Sequence, residues 1–562
     1  MRVRIVALSL LGALLAFAGS AVSHPERLSF FPDHTKGKVP VFRSTGPALV
    51  VCKEDSRARI KTLLKGKGPK TTKLRKRNLR LLKKCRFRHI QDAVEQAKSN
   101  YRILILPGVY KEEPSRAVPF PEPKCKDMFE PAMGPDPASG GNAVRQAFRA
   151  GSTAGDKAPS YEYSFTCPRS ASLITVAGDD PKDPDKECDQ KCNLQIEGTA
   201  RRQDVLITSD GLKLNLIFGD RADGIALRNF TVKQSDFNNI YVLETNGFRF
   251  SNIVSESARE YGFLSFASDN GLYEDLDASY SGDSGIYPGS GPEGHCARYG
   301  IEIRRVNSHH NALGFSGTAG NGIWVHDSKF HHNSIGLVED SFAPGHPGQP
   351  QDCLKWEGNE IFSNNENYFT EENQDYCRET AKEAFKRDPK RVCPVFQVPV
   401  GTGFLLAGGN GNIVRDNYFY DNDRRVGYLF AVPASFRGED DSDKSYDTSH
   451  SNQITGNHVG FRKDGTKDPN GGFFWWDGGG QANCWEGNRF ASATDALIDV
   501  PDSYPKSLPP CPKGSDTGIP QEPRQFAEIV PCLAWDANDD DFSHPPGCDW
   551  FDQPKDPGAR AR

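Results

Sequence analysis

The sequence lacks the long apolar run that a membrane span requires. Outside its N-terminus, no stretch of the 562 residues approaches the roughly 20 apolar residues that a spanning helix needs. Hydrophobic residues make up only 36% of the chain, and the net charge is small, −5 at pH 7. No global field therefore favours nucleic acid or a membrane surface as a partner. We expect no membrane span and no nucleic-acid partner.

Methionine is also scarce, with three residues in the chain. Its scarcity weakens a copper-handling interpretation of the paired histidines His309-His310 and His331-His332, because soft sulfur ligands would support one. We interpret the pairs as corner residues of a repeat and predict no metal site there. Calcium is the one cofactor left open, because the acidic turn 179–192 offers several carboxylates, although it lacks EF-hand spacing.

The N-terminus is the one strongly apolar part of the chain. Two arginines precede an apolar run, and small residues suit cleavage before His24, a pattern that predicts a secretory signal peptide over 1–23. All 14 cysteines follow this segment. In an oxidising compartment they allow up to seven disulfides, whose pairing the sequence leaves open. Only Cys188 and Cys192 are close in sequence, which disfavours a zinc site. We expect a secreted, extracellular protein.

Turn signals recur at a short period between about 225 and 365. Asn-Gly pairs at 246–247, 270–271 and 321–322 close segments that contain short alternating apolar runs. Polar corners recur as well, and Asn311 and Asn333 lie 22 positions apart. The period is too short for βαβ units, whose crossovers need a dozen or more residues. It predicts a solenoid of stacked parallel strands, with Asn311 over Asn333 as a hydrogen-bond ladder.

Several segments resemble a known family. IQDAVEQA with ILILPGVYKE (90–112), NLQIEGTARRQDVLITSDG (193–211) and VPVGTGFLLAGGNGNIVRDNYFYDN (398–422) are similar to coils of secreted right-handed parallel β-helix proteins, the pectin lyase-like superfamily. The resemblance spans roughly 88 to 490. It implies an all-β, right-handed parallel β-helix (a solenoid) with an N-terminal capping helix and long disulfide-tied loops. Such coils serve lyases, hydrolases, epimerases and adhesins, so the resemblance implies no single activity.

Four regions are expected along the chain. They are the signal peptide 1–23, a basic N-terminal segment 24–88, the β-helix with loop insertions 89–490, and a Pro-rich C-terminal cap or tail 491–562. We interpret the dense basic run 57–88 as a solvated loop held by a disulfide. An anion-binding patch for acidic polysaccharide, cell-wall polymer or nucleic acid is the alternative.

Strand alternation predicts one row of functional side chains on successive coils. If the apolar residues of each strand face inward, the polar ones between them face outward. This outer row comprises Glu302, Arg304, Trp324, His326, Lys355 and Glu357. It suits binding of an extended sugar chain, with Trp324 as a substrate-binding residue and the other five as catalytic candidates. An ordinary solvated strand face is the alternative.

Two chemistries are open for the outer row. Glu302 and Glu357 could act as acid and base in glycoside hydrolysis. Arg304 or Lys355 could instead abstract a proton next to a uronate carboxyl. The segment IWVHDS departs from the W-x-D-H motif of pectate lyases in the order of its residues, so no catalytic residue is carried over from that family.

A glycine-rich turn lengthens the coil that follows Asp283. Long loops beside a regular scaffold are where sites are often built, so Asp283 is a further catalytic candidate and Tyr287 a further substrate-binding one. A tight turn in which Asp283 bonds its own backbone is the alternative.

These observations favour a monomeric secreted β-helix protein that binds an extended extracellular polysaccharide and cleaves or epimerises it. As an enzyme it would be a polysaccharide lyase, a glycoside hydrolase or an epimerase. The alternative is a non-catalytic extracellular or cell-surface scaffold or adhesion protein.

Overall fold

The structure is a computed structural model. It describes residues 27–33, 36–63, 65, 68–131, 157–182, 188–342, 346–437, 439, 441–472, 474–492, 498–499, 509–511, 525–533, 535 and 544–555. The predicted signal peptide lies outside the described residues.

Short strands stack into three parallel sheets, to which successive coils contribute one strand each. The first sheet consists, in spatial order, of β1 (Ala48–Val51), β2 (Arg102–Ile105), β7 (Gln195–Gly198), β10 (Ile225–Arg228), β13 (Asn246–Ser251), β16 (Asp269–Glu274), β19 (Ile301–Arg304), β22 (Ile323–His326), β25 (Lys355–Glu357), β28 (Ile413–Arg415), β31 (Gln453–Thr455) and β34 (Cys484–Glu486). The second consists of β3 (Gly108–Tyr110), β8 (Val205–Thr208), β11 (Thr231–Ser235), β14 (Val254–Ala258), β17 (Asp277–Ser279), β20 (Asn307–His309), β23 (Lys329–His331), β26 (Glu360–Phe362), β29 (Tyr418–Tyr420), β32 (His458–Val459) and β35 (Arg489–Phe490). The third consists of β6 (Ser172–Ala177), β9 (Asn215–Asp220), β12 (Asn238–Leu243), β15 (Phe263–Phe266), β18 (Ser284–Gly289), β21 (Leu313–Phe315), β24 (Ile335–Asp340), β27 (Thr402–Ala407), β30 (Arg425–Phe430), β33 (Phe474–Trp476) and β36 (Ile498–Asp499).

Few other elements accompany the sheets. β4 (Phe129–Pro131) and β5 (Lys157–Pro159) form an antiparallel pair. The helices are α1 (Ser56–Leu63), α2 (Pro69–Leu82), α3 (Ile90–Gln96), α4 (Glu113–Arg116), α5 (Tyr161–Thr166), α6 (Glu371–Cys377), α7 (Ala381–Arg387) and α8 (Phe526–Leu533). Single 3₁₀ turns occupy Pro123–Cys125, Arg202–Asp204, Ala434–Arg437 and Ser442–Lys444. The prediction of an all-β, right-handed parallel β-helix is confirmed. Within the described part of the chain, no helix is long and apolar enough to cross a membrane.

The core fills the inside of the coils because inward side chains of equal register stack. Ile301 pairs with Ile323 in register, and Val325 pairs with Trp356. All four are fully or almost fully buried, as the alternation predicts. Burying each such side chain contributes about 1.5–3 kcal/mol. The three aromatic residues at 474–476 form β33 and are also buried.

Asparagine ladders run along the corners of the coils. The predicted pair Asn311 and Asn333 is confirmed, with Asn311 Nδ2 donating to Asn333 Oδ1 at 3.1 Å. The ladder continues through Asn364, Asn422 and Asn470 at 2.9–3.0 Å. A second ladder comprises Asn359, Asn417, Asn457 and Asn488, and a third comprises Gln351, Asn412, Asn452 and Asn483. Each amide satisfies backbone and side-chain partners that would otherwise be buried without a hydrogen bond.

The first coil is closed by α3, as predicted. Ile90, Ala93 and Val94 are fully buried in the core cluster that also contains Ile103. Glu112 accepts the backbone N–H of Ile90 at 2.9 Å, which satisfies one donor of the helix terminus.

The basic run 57–88 forms helices, so its interpretation as a loop is wrong. α1 and α2 lie over the outer face of β1 and β2. There the leucines of α2, among them Leu74 and Leu79, pack against Leu104 and Leu106 in one apolar cluster. In the sequence, many lysines and arginines stand between these leucines, so their helical spacing is difficult to recognise. The disulfide at the base of this segment, Cys52–Cys85, is present.

All 14 cysteines are paired, in agreement with the expected upper limit of seven disulfides. The bonds are Cys52–Cys85, Cys125–Cys167, Cys188–Cys192, Cys296–Cys353, Cys377–Cys393, Cys484–Cys511 and Cys532–Cys548. Cys125–Cys167 and Cys377–Cys393 close loops within insertions between coils, and Cys484–Cys511 joins the C-terminal segment to β34.

Candidate functional site

The structure places the whole outer row on the outer face of the first sheet. Neighbouring strands of the sheet are about 4.8 Å apart, and register aligns the side chains in two files. One file is Glu302, Trp324 and Lys355, and the other is Arg304, His326 and Glu357. All six residues are partly exposed.

Arg304 is held between two carboxylates. Its guanidinium donates to Glu274 at 2.9 Å and to Glu302 at 2.6 Å. Burial alone would lower the pKa of Arg304, but the hydrogen bond to Glu274 and the charge of Glu302 outweigh it and raise the pKa. A guanidinium held in its charged form is a hydrogen-bond donor and a counter-charge, which disfavours the expected role of Arg304 as a base.

Glu357 is likewise held in its charged form. It accepts from Lys355 Nζ at 2.6 Å, from Arg415 Nε at 2.9 Å and from Trp324 Nε1 at 3.1 Å. Burial favours a higher pKa, but the hydrogen bonds and charges of Lys355 and Arg415 prevail, and the pKa of Glu357 is lowered.

This geometry restricts the roles that Glu302 and Glu357 could take as a hydrolytic pair. A glycoside hydrolase needs one carboxyl group that carries a proton, and because Glu357 is held as a carboxylate, it could serve only as the base, which leaves the acid role to Glu302. The strands of the two residues, β19 and β25, are separated by β22, a backbone distance of about 10 Å.

Trp324 forms the centre of a stack of side chains. The rings of Trp324 and His326 are parallel within 23°, with centroids 4.1 Å apart. Lys355 Nζ lies 4.9 Å from the centroid of the Trp324 ring and 6.0 Å from that of Tyr299. A cation at this distance is attracted to the ring face, so the stack presents an aromatic surface beside an ammonium group.

Both ring nitrogens of His326 face carboxylates. Nε2 lies 3.2 Å from Glu302 Oε1, and Nδ1 lies 2.8 Å from Asp327 Oδ2. Asp327 follows the end of β22 and is exposed. Either ring nitrogen can therefore donate a hydrogen bond to a carboxylate.

Two segments border the outer row. On the N-terminal side, Phe42 lies against two guanidiniums of the same face, 4.3 Å from Arg228 and 4.6 Å from Arg249. Beside Lys355, the loop 290–300 contributes Tyr299 and is tied to the segment before β25 by the disulfide Cys296–Cys353.

Asp283 and Tyr287 lie elsewhere, in the third sheet, and the structure does not bring them to the outer row. Both are buried, with exposures of 3% and 2%. Ser316 Oγ donates to Asp283 at 3.4 Å, and burial raises the pKa of Asp283 to about 7. The Tyr287 ring packs on Tyr261 at 4.3 Å. The lengthened loop begins after β18, beyond both residues.

Three side chains of this face were not predicted from the sequence. Glu274 and Arg415 belong to the coils before and after the row, and the same alternation that identifies Arg304 could have found both. Tyr299 comes from a loop without strand periodicity, and no sequence signal identifies it.

The paired histidines stack on one another across neighbouring coils. His309 stacks on His331 at 5.2 Å, and His310 stacks on His332 at 5.3 Å. Burial and the neighbouring imidazoles lower the pKa of His310 to about 4 and that of His331 to about 3.

Within the described ranges, no three histidine, cysteine or acidic side chains are grouped so that they could hold a metal ion. In the acidic turn proposed for calcium, the carboxylate of Asp189 accepts the backbone N–H of Asp180 at 3.0 Å. Residues 183–187 of this turn lie outside the described residues.

No family model and no curated protein matches the sequence. Several solved structures are similar to the chain. The A-module of the mannuronan C-5 epimerase AlgE4 of Azotobacter vinelandii is 11% identical, with a TM-score of 0.33 over 58% of this chain and 85% of that one. The pectate lyase Pel9A is 12% identical, with a TM-score of 0.31 over 81% and 79%. The alginate lyase of Paenibacillus sp. str. FPU-7 is 9% identical, with a TM-score of 0.30 over 73% and 95%. Similarity at this level supports no inference about activity. The fold is established by the three stacked sheets.

Proposed function

We propose that the chain is a secreted, monomeric β-helix protein that binds an extended polysaccharide along the outer row. The observation that carries the proposal is the partly exposed stack of Trp324 with His326 and Lys355. Aromatic rings with adjacent polar groups suit sugar rings, which present an apolar face and a rim of hydroxyls. Seven disulfides support an oxidising, extracellular compartment.

The polar groups of the row suit hydroxyl recognition. Carboxylates and basic side chains share one file of successive coils, in the order Glu274, Arg304, His326, Glu357 and Arg415. They present charged acceptors and donors at fixed positions, and such hydrogen bonds are stronger than neutral ones. The regular spacing of the coils repeats this surface along the solenoid axis, so a polymer can make similar contacts at successive positions.

A second candidate function is lyase or epimerase chemistry on a uronate polymer. It is favoured by His326, whose ring nitrogens face Glu302 and Asp327. In this proposal the contact of His326 Nδ1 with the exposed Asp327 opens, the freed nitrogen of the neutral imidazole removes the proton next to the uronate carboxyl, and the Lys355 ammonium faces that carboxylate. Elimination would then break the glycosidic C–O bond, and the departing sugar oxygen would take up a proton. Reprotonation on the opposite face would instead complete epimerisation.

The experiment is a polysaccharide panel with the purified mature protein. Binding, absorbance of unsaturated uronates, reducing ends and the configuration of uronates would be followed in parallel. We expect at least one extended polysaccharide to bind and Trp324→Ala to weaken that binding about tenfold, since each aromatic–sugar contact resembles a partly exposed aromatic pair. Phe30→Ala, which truncates an exposed aromatic whose backbone N–H donates to Glu244 beside the third sheet, serves as the matched control.

The outcomes separate the hypotheses. Binding that depends on Trp324, without unsaturated, reducing or epimerised products, would support a binding protein alone. Products that disappear in His326→Gln would support the second candidate. If no polysaccharide binds, or if both aromatic variants weaken binding equally, the outer row is an ordinary solvated face and the scaffold alternative stands.

A further inference from the structure

A second charged surface lies on the same face of the first sheet, at its N-terminal end. The helices α1 and α2 cover β1 and β2 there. Their solvent side and the turn that follows carry exposed cations, which we term the basic patch: Arg57, Lys61, Lys70, Lys73, Lys76, Arg80, Lys83 and Lys84. The patch belongs to the ordered part of the fold, because Asn78 in the middle of α2 is fully buried and donates to the backbone oxygen of Thr199 at 3.0 Å.

The patch segregates positive charge within a chain that is slightly acidic. Residues 56–91 contain fifteen lysines and arginines and no aspartate or glutamate, while the whole chain has a net charge of −5. Two ion pairs tie the segment to carboxylates, Arg59 with Asp55 and Arg77 with Glu197. Neither pair includes a residue of the patch.

Crowding of like charges raises the free energy of the folded protein through repulsion, and a ligand of opposite charge would lower it. Lys73 and Lys76 are three positions apart on α2, and Lys76 and Arg80 are four apart, so each pair lies on one side of the helix and is mutually repulsive. The leucines under α2 and the disulfide Cys52–Cys85 hold the helices in place. The fold therefore maintains an ordered array of like charges on this side of the helices.

We propose that the basic patch binds an anionic extracellular polysaccharide, carboxylated or sulfated, as a surface separate from the outer row. The charge complementarity of an array of cations to a polymer of regularly spaced anions carries the proposal. The patch and the row are separate parts of this face, because β10, β13 and β16 lie between β7, whose Glu197 pairs with Arg77 of α2, and β19, the first strand of the row.

The chemistry of the patch favours this partner over a membrane or a nucleic acid. Residues 56–86 contain no aromatic residue, so the helices offer neither interfacial anchors for a bilayer nor stacking platforms for bases. Their leucines are turned toward Leu104 and Leu106. The large hydrophobic residues that the described chain exposes, Leu28, Phe30, Val41, Leu212 and Tyr446, all lie outside the patch.

The test compares two variants of equal charge in the mature chain. The patch variant carries Lys70→Gln, Lys73→Gln and Lys76→Gln. The control carries Lys382→Gln, Lys386→Gln and Lys463→Gln, which are exposed lysines elsewhere. Dissociation constants for dextran sulfate, polygalacturonate and uncharged dextran would be measured from 50 to about 300 mM salt, the range over which such binding is screened.

We expect the patch variant to bind the anionic polymers about a hundredfold more weakly, since each lysine near an anionic surface contributes about a factor of five. Its affinity should also depend less steeply on salt. The control should bind like the wild type, and Trp324→Ala should leave dextran sulfate binding unchanged, which separates this proposal from that for the row. If the triple variant fails to fold, Lys73→Gln alone should still weaken binding about fivefold.

Three results would overturn the proposal. The first is absence of binding of the wild type to both anionic polymers at low salt. The second is an equal loss of affinity in the patch and control variants. The third is tighter binding to phosphatidylglycerol vesicles or to double-stranded DNA than to either anionic polysaccharide, which would assign the patch to a different class of partner.

Discussion

Trp324 and Trp356 lie on adjacent coils of the first sheet and face opposite sides of it. Trp324 pairs in register with Lys355, and its neighbour Val325 pairs with Trp356. Trp356 is fully buried and meets Phe315 and Phe404 edge-on. Trp324 instead shares the outer face with Lys355 and His326. One residue type thus serves the core in one coil and the surface in the next.

This contrast predicts that two alanine substitutions lower the free energy of unfolding by unequal amounts. Trp356→Ala leaves a large cavity among packed aromatics and should lower the free energy of unfolding by about 3–5 kcal/mol. Trp324→Ala removes a partly exposed ring and should lower it by less than about 1 kcal/mol, while weakening polysaccharide binding. Urea unfolding of both variants measures the free energy of unfolding. Equal destabilisation by the two substitutions would contradict the assignment of faces.

The asparagine ladders predict a gradient of stability effects from the middle of a ladder to its end. Asn333 is fully buried, donates to Asn364 at 2.9 Å and accepts from Asn311 at 3.1 Å. Asn333→Ala removes the acceptor of the Asn311 backbone N–H together with the two side-chain bonds of the ladder, and should lower the free energy of unfolding by about 3 kcal/mol.

Asn488, at the partly exposed end of the second ladder, is the matched control. Its replacement by alanine leaves one neighbour without a partner and should lower the free energy of unfolding by about 1 kcal/mol. Chemical denaturation of both variants under the same conditions checks the gradient. A loss at Asn488 as large as that at Asn333 would show that the ladder contributes no more in its middle than at its end.

The regular features of this fold are those that a sequence can predict. Alternation identified the inward and outward side chains of β19, β22 and β25, because a strand has a period of two residues and register repeats from coil to coil. The Asn311–Asn333 ladder followed from the same repetition. These predictions depend only on neighbours in the chain and on the period of the coil.

The remaining features depend on contacts between residues distant in the sequence. Asp283 precedes β18, and Tyr287 belongs to it. The N-terminal segment covers the outer face of this part of the third sheet. Phe31 packs against the cluster that contains Tyr287, and Arg27 donates a hydrogen bond to Asp220 of β9. No local pattern reveals such a cover. The charge state of Glu357 likewise depends on Arg415, which lies 58 positions away.

The burial of Asp283 predicts a specific dependence of stability on pH. Burial, with the nearby charge of Asp340, raises the pKa of Asp283 from its ordinary value of 3.8 to about 7. The folded state thus holds a proton on this carboxyl group that the unfolded chain releases above about pH 4. The stabilising contribution is complete below that value and is lost as the pH rises through about 7.

Asp283→Asn removes this titration, so stability should fall less steeply between pH 4.5 and 7.5 in the variant than in the wild type. The difference is expected to be on the order of a few kcal/mol. Asp340 and Asp477, whose pKa values burial raises to about 6 and about 7, keep part of the slope in both proteins. Urea unfolding at pH 4.5 and at pH 7.5, the limits given above, measures this change in stability, with the exposed Asp327→Asn as control. An unchanged slope in Asp283→Asn would mean that Asp283 is ionised in the folded protein.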